Sequence, residues 1–156
     1  MPRSGKTPKR ITQSDPVYKS PVVTRLVNRV MRKGKKSLAQ KIVYGALTKL
    51  GEKTKKEPLE ALRQAISNVS PGQEVRSRRV GGATYQVPMP VKGERKEALA
   101  MRWLITFAKN KEGQPMVEKL ADELFAAYQG TGEAVKKKEN MHKMADANRA
   151  FAHFKW

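Results

Sequence analysis

A chain of 156 residues carries 33 Lys and Arg against 14 Asp and Glu, a formal net charge of +19 with a pI near 10.4. That excess goes beyond ordinary solubility tuning and predicts a polyanionic partner. Cysteine is absent, which excludes a disulfide framework, a thiolate metal site and a cysteine nucleophile.

The charge is spread along the chain and not gathered on one amphipathic helix, so nucleic acid fits better than a membrane. The length suits one domain over residues 1–156, with a lean apolar content of 38%. The longest apolar block, Ala98 to Ala108, contains Arg102 and falls short of the roughly 20 residues that span a bilayer. The basic N-terminus lacks an apolar segment, so it does not read as a secretory signal. A protein of a reducing compartment is expected.

Residues 1–19 hold Arg3, Lys6, Lys9, Arg10 and Lys19 against Asp15, interrupted by Pro2, Pro8 and Pro16. Without an apolar period this reads as an extended basic arm, disordered until a partner fixes it. Ser20-Pro21 reads as the cap and first residue of a helix. Val22, Val23, Leu26, Val27, Val30 and Met31 form its apolar side, and Arg25, Arg29 and Arg32 line another face one turn apart. Gly34 ends it, with Lys33, Lys35 and Lys36 crowding the turn. Ser37 is expected to cap a second helix with Leu38, Ile42, Val43, Ala46, Leu47 and Leu50 inward. Glu57-Pro58 opens a third, which Ser70-Pro71-Gly72 stops. Asn68-Val69-Ser70 matches a glycosylation sequon and reads as chance.

Gly81-Gly82 is a two-residue hairpin signal. It places Arg78 opposite Tyr85 and Arg76 opposite Val87 on one face, and Arg79 opposite Thr84 on the other, in a β-ribbon over residues 73–90. Both faces read as polar or basic, and a lone ribbon is marginal in water, so an outside anionic surface is its expected support. Arg78 and Tyr85 could offer a guanidinium plane and a ring to unpaired bases. The plainer reading is a solvated hairpin.

A fourth helix from about Glu94 to Lys109 is apolar nearly all round and predicts a central position, with Trp103 in the core. Arg95, Lys96 and Arg102 continue the basic stripe of the ribbon. Pro115 starts a fifth helix, closed by Gly130 and Gly132. Lys136-Lys137-Lys138 precedes a sixth, which carries Met141, Met144, Ala145, Asn148 and Phe151. The expected fold is mainly α: a six-helix bundle-like domain with a β-ribbon protruding between helices three and four.

His142 and His153 have no ligand companions, and no nucleophile elbow or dinucleotide glycine pattern appears. No catalytic residue, metal or cofactor is expected. Glu57, Glu97 and Glu139 read as helix-surface charges.

The run Val75-Arg76-Ser77-Arg78-Arg79-Val80-Gly81-Gly82-Ala83-Thr84-Tyr85-Gln86-Val87-Pro88 closely resembles the signature hairpin of the ribosomal protein S-seven family. Residues 31–36, 134–138 and 144–153 resemble its other recurrent blocks in the same order, so the likeness covers almost the whole chain. The resemblance implies a structural constituent of the small ribosomal subunit, of bacterial type. It implies primary binding to the 3′ domain of small-subunit ribosomal RNA and nucleation of head assembly. It also implies a position at the subunit interface, beside the exit-site transfer RNA and the messenger path. The ninth and eleventh small-subunit proteins would be its neighbours, and some bacterial members also bind their own operon's messenger. The setting implied is the cytoplasmic ribosome, or the plastid stroma for an organellar member.

The ribosomal RNA contacts expected are Arg3, Lys6, Lys9 and Arg10 of the arm, Arg25, Arg29, Arg32, Lys33, Lys35 and Lys36 of the first helix and its turn, and Arg76, Arg78, Arg95, Lys96 and Arg102. Arg79, Gly81, Gly82, Ala83, Tyr85, Asn148 and Arg149 are the residues expected near transfer RNA and messenger. The competing reading is an architectural DNA-binding protein with a ribbon arm in the minor groove. Such arms often carry an apolar wedge at the tip, and a Gly-Gly tip has none. An RNA-modifying enzyme, the third reading, lacks any cofactor or nucleophile signature.

Overall fold

The computed structural model describes residue 5 and residues 12–154. Six helices and one hairpin follow in chain order: α1 (Pro21–Val30), α2 (Lys36–Thr54), α3 (Pro58–Val69), β1 (Gln73–Val80), β2 (Ala83–Pro90), α4 (Gly93–Asn110), α5 (Met116–Tyr128) and α6 (Glu133–Ala147). A terminal 3-10 turn covers Arg149–Phe154. The mainly helical fold with a ribbon between α3 and α4 is the one the sequence predicts.

The core is aliphatic. Leu26, Leu47, Leu50, Leu62, Leu104 and Leu120 are fully buried, each a side chain whose burial contributes about 1.5–3 kcal/mol. The centre is shared: α4 packs on α1, α3, α5 and α6, and α5 packs on α2, α3, α4 and α6. Trp103 lies in this core, as expected.

Several helix ends differ from expectation. Ser20 precedes α1, but its hydroxyl is buried without a hydrogen bond and caps nothing. Pro21, at the first helical position, has no N–H of its own to leave unsatisfied there. The helix stops at Val30, so Arg32 belongs to the following turn and not to the helical stripe. The second helix begins at Lys36, one residue before the expected cap Ser37. That start leaves Leu38 in the first turn, 51% exposed instead of inward. The sixth helix begins at Glu133, so Lys136, Lys137 and Lys138 lie inside it. Lys136 pairs with Glu133 at 2.8 Å, and Lys138 donates to the carbonyl of Asn68 at the end of α3. The Asn68 amide donates in turn to the carbonyls of Ala127 and Tyr128, both at 2.9 Å, tying the ends of α3 and α5 together.

The described end of the arm is anchored. Asp15 is 4% exposed, and its carboxylate accepts the N–H groups of Val17 and Tyr18 and the Tyr44 hydroxyl, the last at 2.7 Å. Burial and then the Asp15 carboxylate push the Tyr44 hydroxyl up to about 12. An acidic residue before a proline opens a turn of this kind. Residues 15–19 therefore form an anchored turn and depart from the expected floating arm; Arg3, Lys6, Lys9 and Arg10 lie outside the described residues.

A buried acid organises the other end of the body. Glu123 is 1% exposed, accepts the Ala134 N–H at 3.1 Å and meets Lys111 at 2.8 Å. It does for α6 what a capping residue would do. Gly132 leads into that helix at φ +95, and a Cβ there would meet the Ala126 Cβ at 3.0 Å. Only glycine allows so close a turn.

Candidate nucleic-acid interface

The hairpin has the expected register, with Val80 opposite Ala83, Arg78 opposite Tyr85 and Arg76 opposite Val87. Gly81 and Gly82 take φ +57 and +92, the pair of values that a type I′ turn requires. A Cβ at Gly82 would meet nothing within 4 Å, so only the backbone resists substitution there. Gly82→Val is expected to introduce about 1–3 kcal/mol of local strain and to distort the tip. Thermal melting of the helical body should stay at the wild-type value while RNA binding weakens. Parallel loss of both would refute this separation of body and ribbon.

The ribbon is supported from within the chain, which corrects the expectation of an outside surface. Its base packs on α6, and β2 packs on the terminal turn. The Tyr85 ring lies 5.2 Å from the Phe151 ring and 5.1 Å from the Phe154 ring. Such tilted pairs add to apolar burial. Tyr85 therefore fastens the ribbon and is not an open stacking platform. Val87 is fully buried at the base, so the ribbon is not polar on both faces throughout. His142 of α6 accepts the Gly72 N–H at 2.9 Å and holds the entry to β1.

Glu74 is a functional residue that the sequence reading does not single out. It is 5% exposed at the ribbon base, and it binds two arginines from two elements. Arg76 reaches its Oε1 at 2.6 Å, and Arg95 of α4 holds both oxygens at 2.7–2.9 Å. The hydrogen bonds from Arg95 first, and Arg76 after them, keep the Glu74 carboxyl below its ordinary 4.5 against the opposing effect of burial. The forked geometry fixes both guanidinium planes.

A cleft of about 510 Å³ joins this network to α1, lined by Arg25, Arg29, Arg95, Glu94, Glu97 and Thr12 among others. Arg25 meets Glu97 at 3.3 Å without hydrogen-bond alignment. Glu97 is therefore part of the cleft and not a plain surface charge. Burial and then the neighbouring Arg102 push the Arg29 guanidinium below its ordinary value, and Arg25 adds to them. Glu97 opposes them, so Arg29 sits half-buried among two like charges and one counter-charge. Thr12 brings the described end of the arm to the same cleft.

The structure thus brings together residues that the sequence places on separate surfaces. Arg25, Arg29 and Arg95 line one cleft, Arg102 neighbours Arg29, and Arg76 joins Arg95 through Glu74; Arg32, Lys33, Lys35 and Lys36 follow α1 in the turn and first residue of α2, and Lys96 is exposed on the first turns of α4. Arg79, Gly81, Gly82 and Ala83 are exposed at the hairpin tip. Asn148 closes α6, with its amide on the Met144 carbonyl, and Arg149 opens the terminal turn beside the ribbon base. Among the described residues no cluster of His, Asp and Glu could hold a metal ion, and no helix is long and apolar enough to cross a membrane.

A family model described as Ribosomal protein S7p/S5e matches residues 2–149. The chain is 62% identical over 142 residues to the small ribosomal subunit protein uS7 of Thermosipho africanus, covering 91% of this chain and 92% of that one. It is 57% identical over 154 residues to the uS7 of Thermotoga maritima, covering 99% of each chain. It is 56% identical over 156 residues to the uS7 of Mycobacterium avium, covering 100% of each.

Proposed function

The chain belongs to the ribosomal protein S7p/S5e family, a structural and non-enzymatic component of the ribosome, and from that premise we propose that it is a primary binder of the 3′ domain of small-subunit ribosomal RNA. In this reading it nucleates assembly of the head of the small subunit. The hairpin tip and the terminal turn then border the exit-site transfer RNA and the messenger path. The ninth and eleventh small-subunit proteins are its neighbours in that position, and its own operon's messenger is a second RNA of the same kind. The setting is the cytoplasmic ribosome, or a plastid one.

The observation that carries the reading is the single cationic face from α1 across α4 to the ribbon base. Its guanidiniums outnumber the carboxylates Glu74, Glu94 and Glu97 that accompany them. Side chains cannot enter the deep groove of A-form RNA, so such a face reads shape through phosphates. A rigid body with fixed guanidinium planes suits a folded junction better than a flexible strand. Footprinting of the full chain on a 3′-domain fragment of small-subunit ribosomal RNA tests this. Protections clustered on one folded junction are expected, and a uniform or absent footprint would overturn the assignment.

A further inference from the structure

One side chain closes the turn before α1. Asp15 donates its backbone N–H to the Ser20 carbonyl and accepts the Lys19 N–H on its own carbonyl at 2.8 Å. Its carboxylate Oδ2 takes the N–H groups of Val17 and Tyr18, both at 3.1 Å, and its Oδ1 takes the Tyr44 hydroxyl at 2.7 Å. The Tyr18 ring lies 5.7 Å from the Tyr44 ring at 55°, the tilted arrangement that aromatic pairs favour. Residues 15–19 are thereby fastened to α2 as well as to the start of α1. Lys19 completes the turn at φ +48, a conformation that persists outside glycine only where the surroundings fix it. Thr12, three residues before Asp15, lines the cleft of Arg25, Arg29 and Arg95.

We propose that Asp15 and Tyr44 are positioning residues for RNA binding, a latch that fixes where the chain leaves the body and so delivers the basic arm to the Arg25–Arg29–Arg95 cleft. The inference rests on the RNA reading above and adds residues that act through the arm. Asp15 is buried, so it works through the chain it holds and not by contact with RNA. Arg10 precedes Thr12 by two residues and Lys9 by three, and covalent reach alone keeps both within about 11 Å of it. A tether anchored at the cleft gives these cations a high effective concentration for phosphates bound there. Release of the latch moves the anchor of Arg10 from Asp15 to Ser20, from five residues away to ten. For a flexible tether that doubling lowers the effective concentration about three-fold, and the loss of a set direction adds to it. Charge acts in the opposite sense. Removing a carboxylate beside a cationic face should, by Coulomb attraction alone, tighten a polyanion.

A double-mutant cycle on full-length chains tests the latch. Affinity for the 3′-domain RNA fragment is measured for the wild type, for Asp15→Ala, for an arm-neutral chain with Arg3, Lys6, Lys9 and Arg10 all changed to Ala, and for the chain combining both. Tyr44→Phe keeps the ring pair with Tyr18, removes only the hydroxyl and repeats the cycle without a change of charge. Arg29→Ala is the control for the cleft. Asp15→Ala and Tyr44→Phe are expected to weaken binding about three- to ten-fold in the wild-type background, Tyr44→Phe at the low end. In the arm-neutral background Tyr44→Phe should change nothing, and Asp15→Ala should change nothing or tighten binding slightly. Equal loss in both backgrounds assigns the latch to the fold alone and overturns the proposal, as does wild-type affinity of both variants. Should Asp15→Ala fail to fold, the Tyr44→Phe cycle decides. An arm-neutral chain that binds like wild type, beside a weakened Arg29→Ala, also overturns the latch, because the arm then has nothing to deliver, and it leaves the RNA reading standing. Loss from neither the arm-neutral chain nor Arg29→Ala overturns the RNA reading itself.

Discussion

Affinity for the 3′-domain RNA is expected to fall by about 10³–10⁵ between 50 and 200 mM salt. The face offers nine cations on described residues: Arg25, Arg29, Arg32, Lys33, Lys35, Lys36, Arg76, Arg95 and Arg102. Two buried or half-buried carboxylates, Glu74 and Glu97, offset part of that charge. About seven effective phosphate contacts remain, which corresponds to a log–log salt slope of roughly −5 to −6. Filter binding over that salt range measures it, and a flat response would sink the interface. The double variant Arg29→Ala/Arg102→Ala should lower the slope by about two.

The same pair separates binding from folding. Arg29 is held below its ordinary pKa by burial and by Arg102, so the two guanidiniums repel in the free protein. Removing both should leave thermal stability unchanged or raise it, while RNA affinity drops. Opposite signs in the two measurements are the signature of charge placed for a partner at some expense to the fold.

What the sequence disclosed and what it hid follow from the range of each interaction. Helix existence came from apolar period and from Pro and Gly punctuation, which are local. Register of the ribbon came from Gly81-Gly82, also local. Helix starts were less legible, because Ser20 and Ser37 carry the composition of caps without making the bonds. The decisive contacts were long-range. Glu74 and Arg95 are 21 residues apart, and His142 meets Gly72 across 70. Tyr85 finds Phe151 and Phe154 only after α4, α5 and α6 have folded back. No pattern within a helix or a strand announces such partners. One local signal exists: an acid at the head of a basic run, Glu74 just before Arg76, Arg78 and Arg79, is the position where a fixed counter-charge would be sought. Likewise Leu38 fell on the apolar stripe by spacing, but a helix that starts at Lys36 puts its first turn beyond the edge of the body.

Glu74→Ala is expected to loosen the ribbon without loosening the helices. Glu74 is 5% exposed and accepts charge-assisted bonds from two arginines, while Arg76 and Arg95 have side chains 44% and 49% exposed. Losing the carboxylate lets both guanidiniums rehydrate, so neither is stranded. The loss should be on the order of 2 kcal/mol, below the ~3–5 kcal/mol of a fully buried broken pair. It should appear locally, because the ribbon touches the body mainly through this base and the terminal aromatic turn. Amide exchange over residues 73–90 should accelerate about 30-fold, with α2 and α5 unchanged. Glu74→Gln keeps the volume and one acceptor, and should fall between Ala and wild type. The pH dependence has a fixed sign. Hydrogen bonds to Arg95 and then Arg76 hold the folded carboxyl below its ordinary 4.5, so its contribution is complete above that value and fades as acid titrates through the lowered one. Ribbon protection in the wild type should therefore decline below about pH 4.5, and the Gln variant should show no such step. Freed arginines would still attract RNA, and the salt slope of Glu74→Ala should steepen slightly even as affinity falls. Affinity that rose with the slope would mean that charge alone, and not the orientation Glu74 imposes, governs binding. Exchange that quickened equally across α2, α5 and the ribbon would mean the network belongs to the core.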